Sequence, residues 1–364
     1  MSLRQLLAER SLLICVGSGG VGKTSLAAAL GLSAARSGRR GAVLTIDPAR
    51  ALGRALGIES FEGELRPLDA KLLTEADLPA DLPLQIGMLR PAHAWDEFVR
   101  RHATTPELAE SIVNNPFYRQ LSRTFAGATE YAALEELCRL RESGSYDLIV
   151  LDTPPAAHAL DFVRARRRLE ALLRPEVAGV LFNPRSVAGQ LVRRLQRATG
   201  KETLQSVAAL GAAFGQLLGA LQDRSQQIST LLAARGTAFV IVTGPEPEAL
   251  QGASALNREL DELQLPLGAV IQNRVHSLPE RADEAAVAEA IARLRAAGGS
   301  SDVCGWLSET CRDALALARS ESARWERFQS GLSREVARSR VQELEHDVRS
   351  VGDVMELAKR LVSS

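Results

Sequence analysis

A glycine-rich loop near the amino end, flanked by a strand pattern and a helix pattern, restricts the fold more than any other feature of the chain. Gly17 to Thr24 (GSGGVGKT) fits the spacing G-x-x-x-x-G-K-[ST]. An apolar run, Leu12 to Val16, precedes the loop, and a helical pattern starts at Thr24. The N–H groups of such a loop face one anion, and the following helix adds its positive end. The sequence therefore predicts a nucleotide phosphate site, with Lys23 on the β- and γ-phosphates and Thr24 on Mg²⁺.

Further short apolar runs predict the remaining strands of a sheet. They are Ala42–Ile46, 84–89, Leu148–Leu151, 238–243 and 267–271, with a short strand near Val341. Helical patterns, such as 247–263, separate these runs. Continuous apolar strands that alternate with helices favour an α/β fold, in which a mostly parallel sheet is covered by helices on both faces.

Two long helical stretches interrupt this alternation. Residues 160–235 contain no strand-like run, and 92–141 is also helical in pattern. We therefore predict a single domain over residues 1–364, with a helical subdomain inserted at approximately 92–141 and 160–235. The chain is long enough to bury a large core, and its 46% hydrophobic and 24% charged residues are an ordinary globular balance.

Charge and cysteine content argue against several classes of protein. The 44 basic and 44 acidic side chains cancel, so we expect no nucleic-acid partner. The four cysteines form no C-x-x-C pair and residues 1–11 contain no apolar signal segment, which predicts a cytoplasmic location. The uncharged stretch between Glu202 and Asp223 has a one-sided apolar stripe with glutamines, so we expect no stable membrane insertion.

Two carboxylates follow predicted strands and are candidate metal ligands. Asp47 comes after the second strand, in the dipeptide Asp47-Pro48, and Asp152 closes the Leu148–Leu151 strand. Open α/β sheets bind ligands outside the carboxyl ends of their strands, so both side chains are expected beside the phosphate loop. There they would hold the metal of a bound nucleotide and orient water. The alternative for each is a cap or turn residue after a strand.

Three ordered motifs resemble those of the ArsA-like anion-transporting ATPases. They are Gly17–Ser25 (GSGGVGKTS), Thr45–Arg50 (TIDPAR) and Asp152–Leu160 (DTPPAAHAL). Val270–Arg274 (VIQNR) resembles the segment that carries the strand-end asparagine of that family. The family includes arsenite-pump ATPases and the targeting factors for tail-anchored membrane proteins. The resemblance spans nearly the whole chain.

The resemblance implies a P-loop NTPase fold, ATP and Mg²⁺ as ligands, and hydrolysis of ATP. It implies that Asp47, in switch I, orients the attacking water and acts with Lys23 in catalysis. It also implies that Thr24, Asp47 and Asp152 help to bind Mg²⁺. Asn273 would hydrogen-bond adenine, because an amide can pair with the donor and acceptor atoms of that base. The alternative is that Asn273 is only a turn residue before Arg274. The implied nucleotide-binding residues are Gly17, Ser18, Gly19, Gly20, Val21, Gly22, Lys23, Thr24, Ser25 and Asn273.

The chain departs from the family pattern at three places. Ser18 stands where the family usually has a second lysine, which reaches across a dimer to the partner's phosphates. Serine cannot neutralise developing charge, so either hydrolysis is slow, or the charge comes from a group such as Arg50 or from a paralogous partner. Ala156-Ala157 replace the Thr-Gly pair of many members and restrict the backbone. Without a C-x-x-C motif, we expect no structural zinc.

The sequence favours a nucleotide-gated dimer, homomeric or formed with a related ATPase, that binds a hydrophobic protein segment or partner through its helical insertion. The apolar residues of 160–235 alternatively pack on one another and on 92–141. A metalloid (arsenite) efflux ATPase subunit is a second possibility, but it needs thiolates that converge on one point. A slow or regulatory nucleotide-binding module that needs a paralogous partner is a third.

Overall fold

The sheet predicted from the apolar runs is present in a computed structural model, which describes residues 1–46, 51–58, 65–89, 91–115, 118–119, 128–154, 217, 219–276, 278 and 283–363. Its strands are β1 (Leu12–Gly17), β2 (Gly41–Thr45), β3 (Arg66–Pro67), β4 (Leu84–Met88), β5 (Leu148–Asp152), β6 (Thr237–Thr243), β7 (Leu267–Val275) and β8 (Ala337–Gln342). They lie in the order β3-β4-β2-β5-β1-β6-β7-β8. Only the edge strand β3 is antiparallel to its neighbour. The predicted α/β architecture with a mostly parallel sheet is confirmed.

Helices cover this sheet at the positions that the helical patterns indicate. Those described are α1 (Leu3–Glu9), α2 (Lys23–Arg36), α3 (Ala51–Ala55), α4 (Ala70–Glu75), α5 (Pro91–His102), α6 (Pro106–Val113), α7 (Ala128–Glu142), α8 (219–233), α9 (Pro247–Glu262), α10 (Glu284–Ala296), α11 (Ser301–Gln329) and α12 (Val351–Ser363). None of them is long and apolar enough to cross a membrane.

Alternation along each strand sends apolar side chains to two separate cores, one on each face of the sheet. On β1, Leu12, Ile14 and Val16 join a core that also contains residues of α5, α7 and α9. Leu13 and Cys15 point the other way and join a core shared with α1, α2 and α12. Because both faces are buried, the strands read as continuous apolar runs rather than as an alternating pattern.

A buried ion-pair network fastens α8 to the helices of the first core. Arg224 on α8 is 6% exposed and bonds to Glu135 and Glu142 on α7. Glu135, 4% exposed, also accepts from Arg101 on α5, with 3.2 Å between Nη1 and Oε1. The described parts of the predicted helical subdomain are therefore tied together. Residues 155–216 and 218 lie outside the described residues, and the single-domain division stays a prediction.

The last helix, α12, packs against α2, the helix that follows the phosphate loop. Val354 and Leu361 on α12 are fully buried in the second core, together with Leu26 and Leu30 on α2. Segments distant in the sequence thus support the same loop.

Candidate nucleotide-binding site

The phosphate loop joins β1 to α2, as predicted, and two of its glycines have left-handed backbone angles. Gly20 has φ 77° and Gly22 has φ 86°, a region that glycine enters without steric penalty. Gly22 is the N-cap of α2 and offers no side chain to the first N–H groups of the helix. Such N–H groups and the helix dipole together favour an anion at this point.

The ammonium of Lys23 lies against the loop backbone. Its Nζ donates to the Ser18 carbonyl over 2.8 Å, and the residue is 6% exposed. The positive charge is therefore held beside the loop N–H groups, where β- and γ-phosphate oxygens would lie.

A hydroxyl–carboxylate cluster lies where β1, β2 and β5 end. Asp152 Oδ2 accepts from Thr24 Oγ1 over 2.7 Å and from Thr45 Oγ1 over 3.0 Å. Asp152 is 1% exposed and pairs in register with Cys15 of β1 and Thr45 of β2, which brings the cluster together at the centre of the sheet. Hydroxyl and carboxylate oxygens are hard donors of the kind that Mg²⁺ prefers, so Thr24 and Asp152 fit the implied metal.

Asn273, near the end of β7, reaches the same loop from the other side. Its Nδ2 donates to the Val21 carbonyl over 2.9 Å, and the residue is 6% exposed. It lines a cavity of about 1170 Å³ together with Gly22, Thr24 and Ser25. The cavity opens directly from the phosphate loop, where the base and sugar of a nucleotide would follow its phosphates.

The connection from β8 to α12, residues 342–349, also lines this cavity, and the sequence did not single it out. Asp353 on α12 holds this connection: Oδ2 accepts from the Arg349 backbone over 2.8 Å, and Oδ1 lies 2.9 Å from His346 Nε2. Burial raises the pKa of Asp353, but the bonds from Arg349, His346 and Ser350 outweigh it and lower the pKa. A connection lacking glycine-rich or helical patterns gives no sequence signal for this role.

The structure brings together most of the predicted site residues. Gly17 through Ser25 form the loop, with Asp152 beside Thr24 and Asn273 beside Val21. Asp47, Arg50 and Ala156-Ala157 lie outside the described residues, so their roles stay predictions. Sequence reasoning missed Thr45 as a partner of Asp152, although its place at the end of the second strand was available as a signal.

Ser18, the position of the family's second lysine, lies against α9. A Cβ built on Gly252 of that helix would come within 2.9 Å of the Ser18 hydroxyl oxygen. A small residue therefore faces a glycine at this point, and Ser18 is half-buried.

The cysteines do not gather at this site. Cys15 belongs to the core on one face of the sheet and Cys138 to the core on the other. Burial raises the pKa of both thiols, that of Cys138 to about 12. Cys304 and Cys311 lie on α11, Cys304 fully buried. Within the described residues, no three His, Cys, Asp or Glu side chains converge as metal ligands would.

A phosphate loop between the first strand and the next helix of a mostly parallel sheet, with a strand-end carboxylate on its threonine, defines a P-loop NTPase. The family model of the anion-transporting ATPases matches residues 10–296, and the chain belongs to that family. The resemblance noted from the three motifs is therefore confirmed.

Three curated relatives, two of them named as ATPases, show what the chain is similar to. The chain is 32% identical to uncharacterized protein SCO2128 of Streptomyces coelicolor over 74% of its own length and 63% of that protein. It is 26% identical to ATPase GET3B of Arabidopsis thaliana over 71% of its length and 62% of the relative. It is 25% identical to putative arsenical pump-driving ATPase 2 of Aquifex aeolicus over 72% and 79% of the two lengths. The matched region thus spans less than two thirds of the first two relatives.

Proposed function

We propose that this chain binds ATP with Mg²⁺ and hydrolyses it to ADP and phosphate. The contact between Thr24 and Asp152 is the observation that carries the proposal. It puts the loop hydroxyl and a strand-end carboxylate 2.7 Å apart at the carboxyl edge of the sheet. P-loop enzymes use these two kinds of oxygen ligand for their metal. When bound, Mg²⁺ neutralises charge on the phosphate oxygens.

Each described residue has a definite task in this proposal. The loop N–H groups and the amino end of α2 bind the phosphates, and Lys23 adds a positive charge that Ser18 O already holds in place. Asp152, fixed by the Thr24 and Thr45 hydroxyls, supplies a carboxylate oxygen for the metal. The family resemblance supports Asp47 as the residue that orients the attacking water.

Titration calorimetry with ATP and Mg²⁺ tests the binding step. We expect heat of binding for the wild type and its loss in Lys23→Ala. Lys71→Ala is the matched control, because Lys71 lies on α4 with 83% of its side chain exposed. Thr24→Ala should bind ATP with a weaker dependence on Mg²⁺, because one of the oxygen ligands is lost while Asp152 remains. Unchanged binding in Lys23→Ala, with the fold checked by circular dichroism, would overturn the proposal.

We further propose that the ATPase acts as a nucleotide-gated dimer, with itself or with a related chain, and binds a hydrophobic protein segment. The family resemblance supports this role. Leu217 and Leu221, from the apolar stripe of the helical insertion, are buried in the first core, so they serve packing. We propose that the binding surface uses apolar residues of 160–216, such as Leu191 and Leu195, which lie outside the described residues.

Capture of a hydrophobic helical peptide with a fluorescent label measures this activity. Leu191→Asp with Leu195→Asp should abolish capture, while Leu217→Asp should instead lower stability. Sedimentation with and without ATP reports the dimer. A monomer in both states, or capture unchanged by the double substitution, would remove this part of the proposal.

Ser18 favours a second candidate, a module that binds nucleotide and turns it over slowly until a lysine-bearing partner is present. Single-turnover hydrolysis with and without a related chain distinguishes the two candidates. A metalloid efflux ATPase has less support, because Cys15 and Cys138 lie on opposite faces of the sheet with protonated thiols. Stimulation of the ATPase by arsenite would restore that alternative.

A further inference from the structure

The amide of Asn273 is oriented by the phosphate loop itself. A carbonyl oxygen only accepts, so the 2.9 Å contact with Val21 O turns the NH₂ side of the amide to the loop and uses one of its two donors. The two segments also touch closely, since a Cβ on Gly22 would lie 2.3 Å from Asn273 Nδ2. Only glycine fits beside this bond, both for space and for the φ of 86°.

An irregularity in β7 turns Asn273 toward the loop. Gln272 pairs with Arg340 of β8, whereas Val275 pairs with Gln342, so β7 holds one extra residue between the two pairs. Within this bulge Arg274 has φ 57°, an uncommon value for a residue with a side chain. Bulges re-aim side chains next to functional sites, and such strain persists only where the surroundings enforce it.

A buried carboxylate supplies that enforcement just past the bulge. Glu321 on α11 is 2% exposed and contacts His276 at two atoms. Its Oε2 accepts from the His276 backbone N–H over 3.1 Å, and its Oε1 lies 2.7 Å from the ring Nδ1. The end of β7 is therefore fixed to α11 on one side and to the phosphate loop on the other.

We propose that Asn273 is a positioning residue for the phosphate loop, and that its role is not limited to contact with a base. Its donor holds Val21 and Gly22 in the conformation that binds phosphate. This inference rests on the proposed nucleotide binding and adds that phosphate affinity itself depends on Asn273.

Inorganic tripolyphosphate, which has no base, separates the two roles. Calorimetry with Mg²⁺-tripolyphosphate and Mg²⁺-ATP is run on the wild type, Asn273→Ala, and the control Asn257→Ala, which removes an amide from α9. We expect Asn273→Ala to bind tripolyphosphate about tenfold more weakly, the order expected for one lost hydrogen bond, and Asn257→Ala to be unchanged. ATP affinity should fall by at least the same factor.

The outcomes distinguish this inference from the function on which it rests. If Asn273→Ala weakens ATP but leaves tripolyphosphate binding intact, Asn273 is only a base contact and the inference is wrong. If the wild type binds neither ligand, the proposed function fails instead. Asn273→Leu, close in volume, replaces the alanine variant should that variant unfold, and the same loss of tripolyphosphate affinity is expected. Glu321→Gln should give a smaller loss in the same direction.

Discussion

Removing the Glu135 carboxylate should destabilise the chain more than any exposed ion-pair substitution in the same helix. Arg224 is 6% exposed and Glu135 is 4% exposed, so neither charge is well hydrated in the folded chain. Glu135→Ala removes the buried one of the two carboxylates that bind the Arg224 guanidinium, and it also removes the acceptor of Arg101. Breaking a buried pair in this way typically costs about 3–5 kcal/mol. Glu142 remains bound to Arg224, so we expect a free energy of unfolding about 3 kcal/mol lower.

Urea unfolding followed by circular dichroism measures this loss, and two further variants make the assay decisive. Glu142→Ala is the matched control on α7, because 57% of that side chain is exposed, and it should cost no more than about 1 kcal/mol. Replacing both buried partners, as in Glu135→Leu with Arg224→Met, should recover most of the stability, since no stranded charge remains. The reasoning is refuted if Glu135→Ala costs no more than Glu142→Ala, or if the double variant is less stable than Glu135→Ala.

Three further predictions follow from local features. Cys138 has a pKa raised by burial to about 12, so Cys311, the half-buried cysteine, should react first with a thiol reagent, as peptide mapping would show. The hydrogen bonds from Arg40 lower the pKa of Asp147 to about 2 from 3.8. The stabilisation that these hydrogen bonds give the folded chain is complete above the unperturbed pKa of 3.8 and is lost as the pH falls toward about 2. An NMR titration of the carboxyl group can follow this loss. Gly22→Ala should weaken ATP binding at least tenfold in calorimetry with the fold retained, because the left-handed angle alone costs an alanine roughly 1–2 kcal/mol.

The strands and the loop were predictable because their signals are local. β1 and β5 are buried on both faces and therefore appear as continuous apolar runs, and the loop motif requires its glycines by backbone geometry. Helix α1 was missed although Ser2 and Gln5 form a capping box, a signal that the sequence does contain. The predicted start of α2 at Thr24 differs by one residue from the observed Lys23.

Contacts between distant segments could not be predicted. The bond from Asn273 to Val21 depends on an extra residue in β7 that is visible only once β8 is paired with it. Arg224 and Glu135 are 89 residues apart, and nothing in the local pattern of either helix indicates its partner. Such contacts arise from topology, which single-residue patterns do not encode.

The packing of α12 on α2 has a consequence for how the chain is made. Residues 23–36 of α2 are synthesised well before residues 351–363 of α12, the helix that packs against it. During that interval the face of α2 that contacts α12 stays uncovered and is open to chaperones or to wrong partners. Ligand-competent molecules should therefore accumulate only after translation of α12, however early their signature glycines emerge.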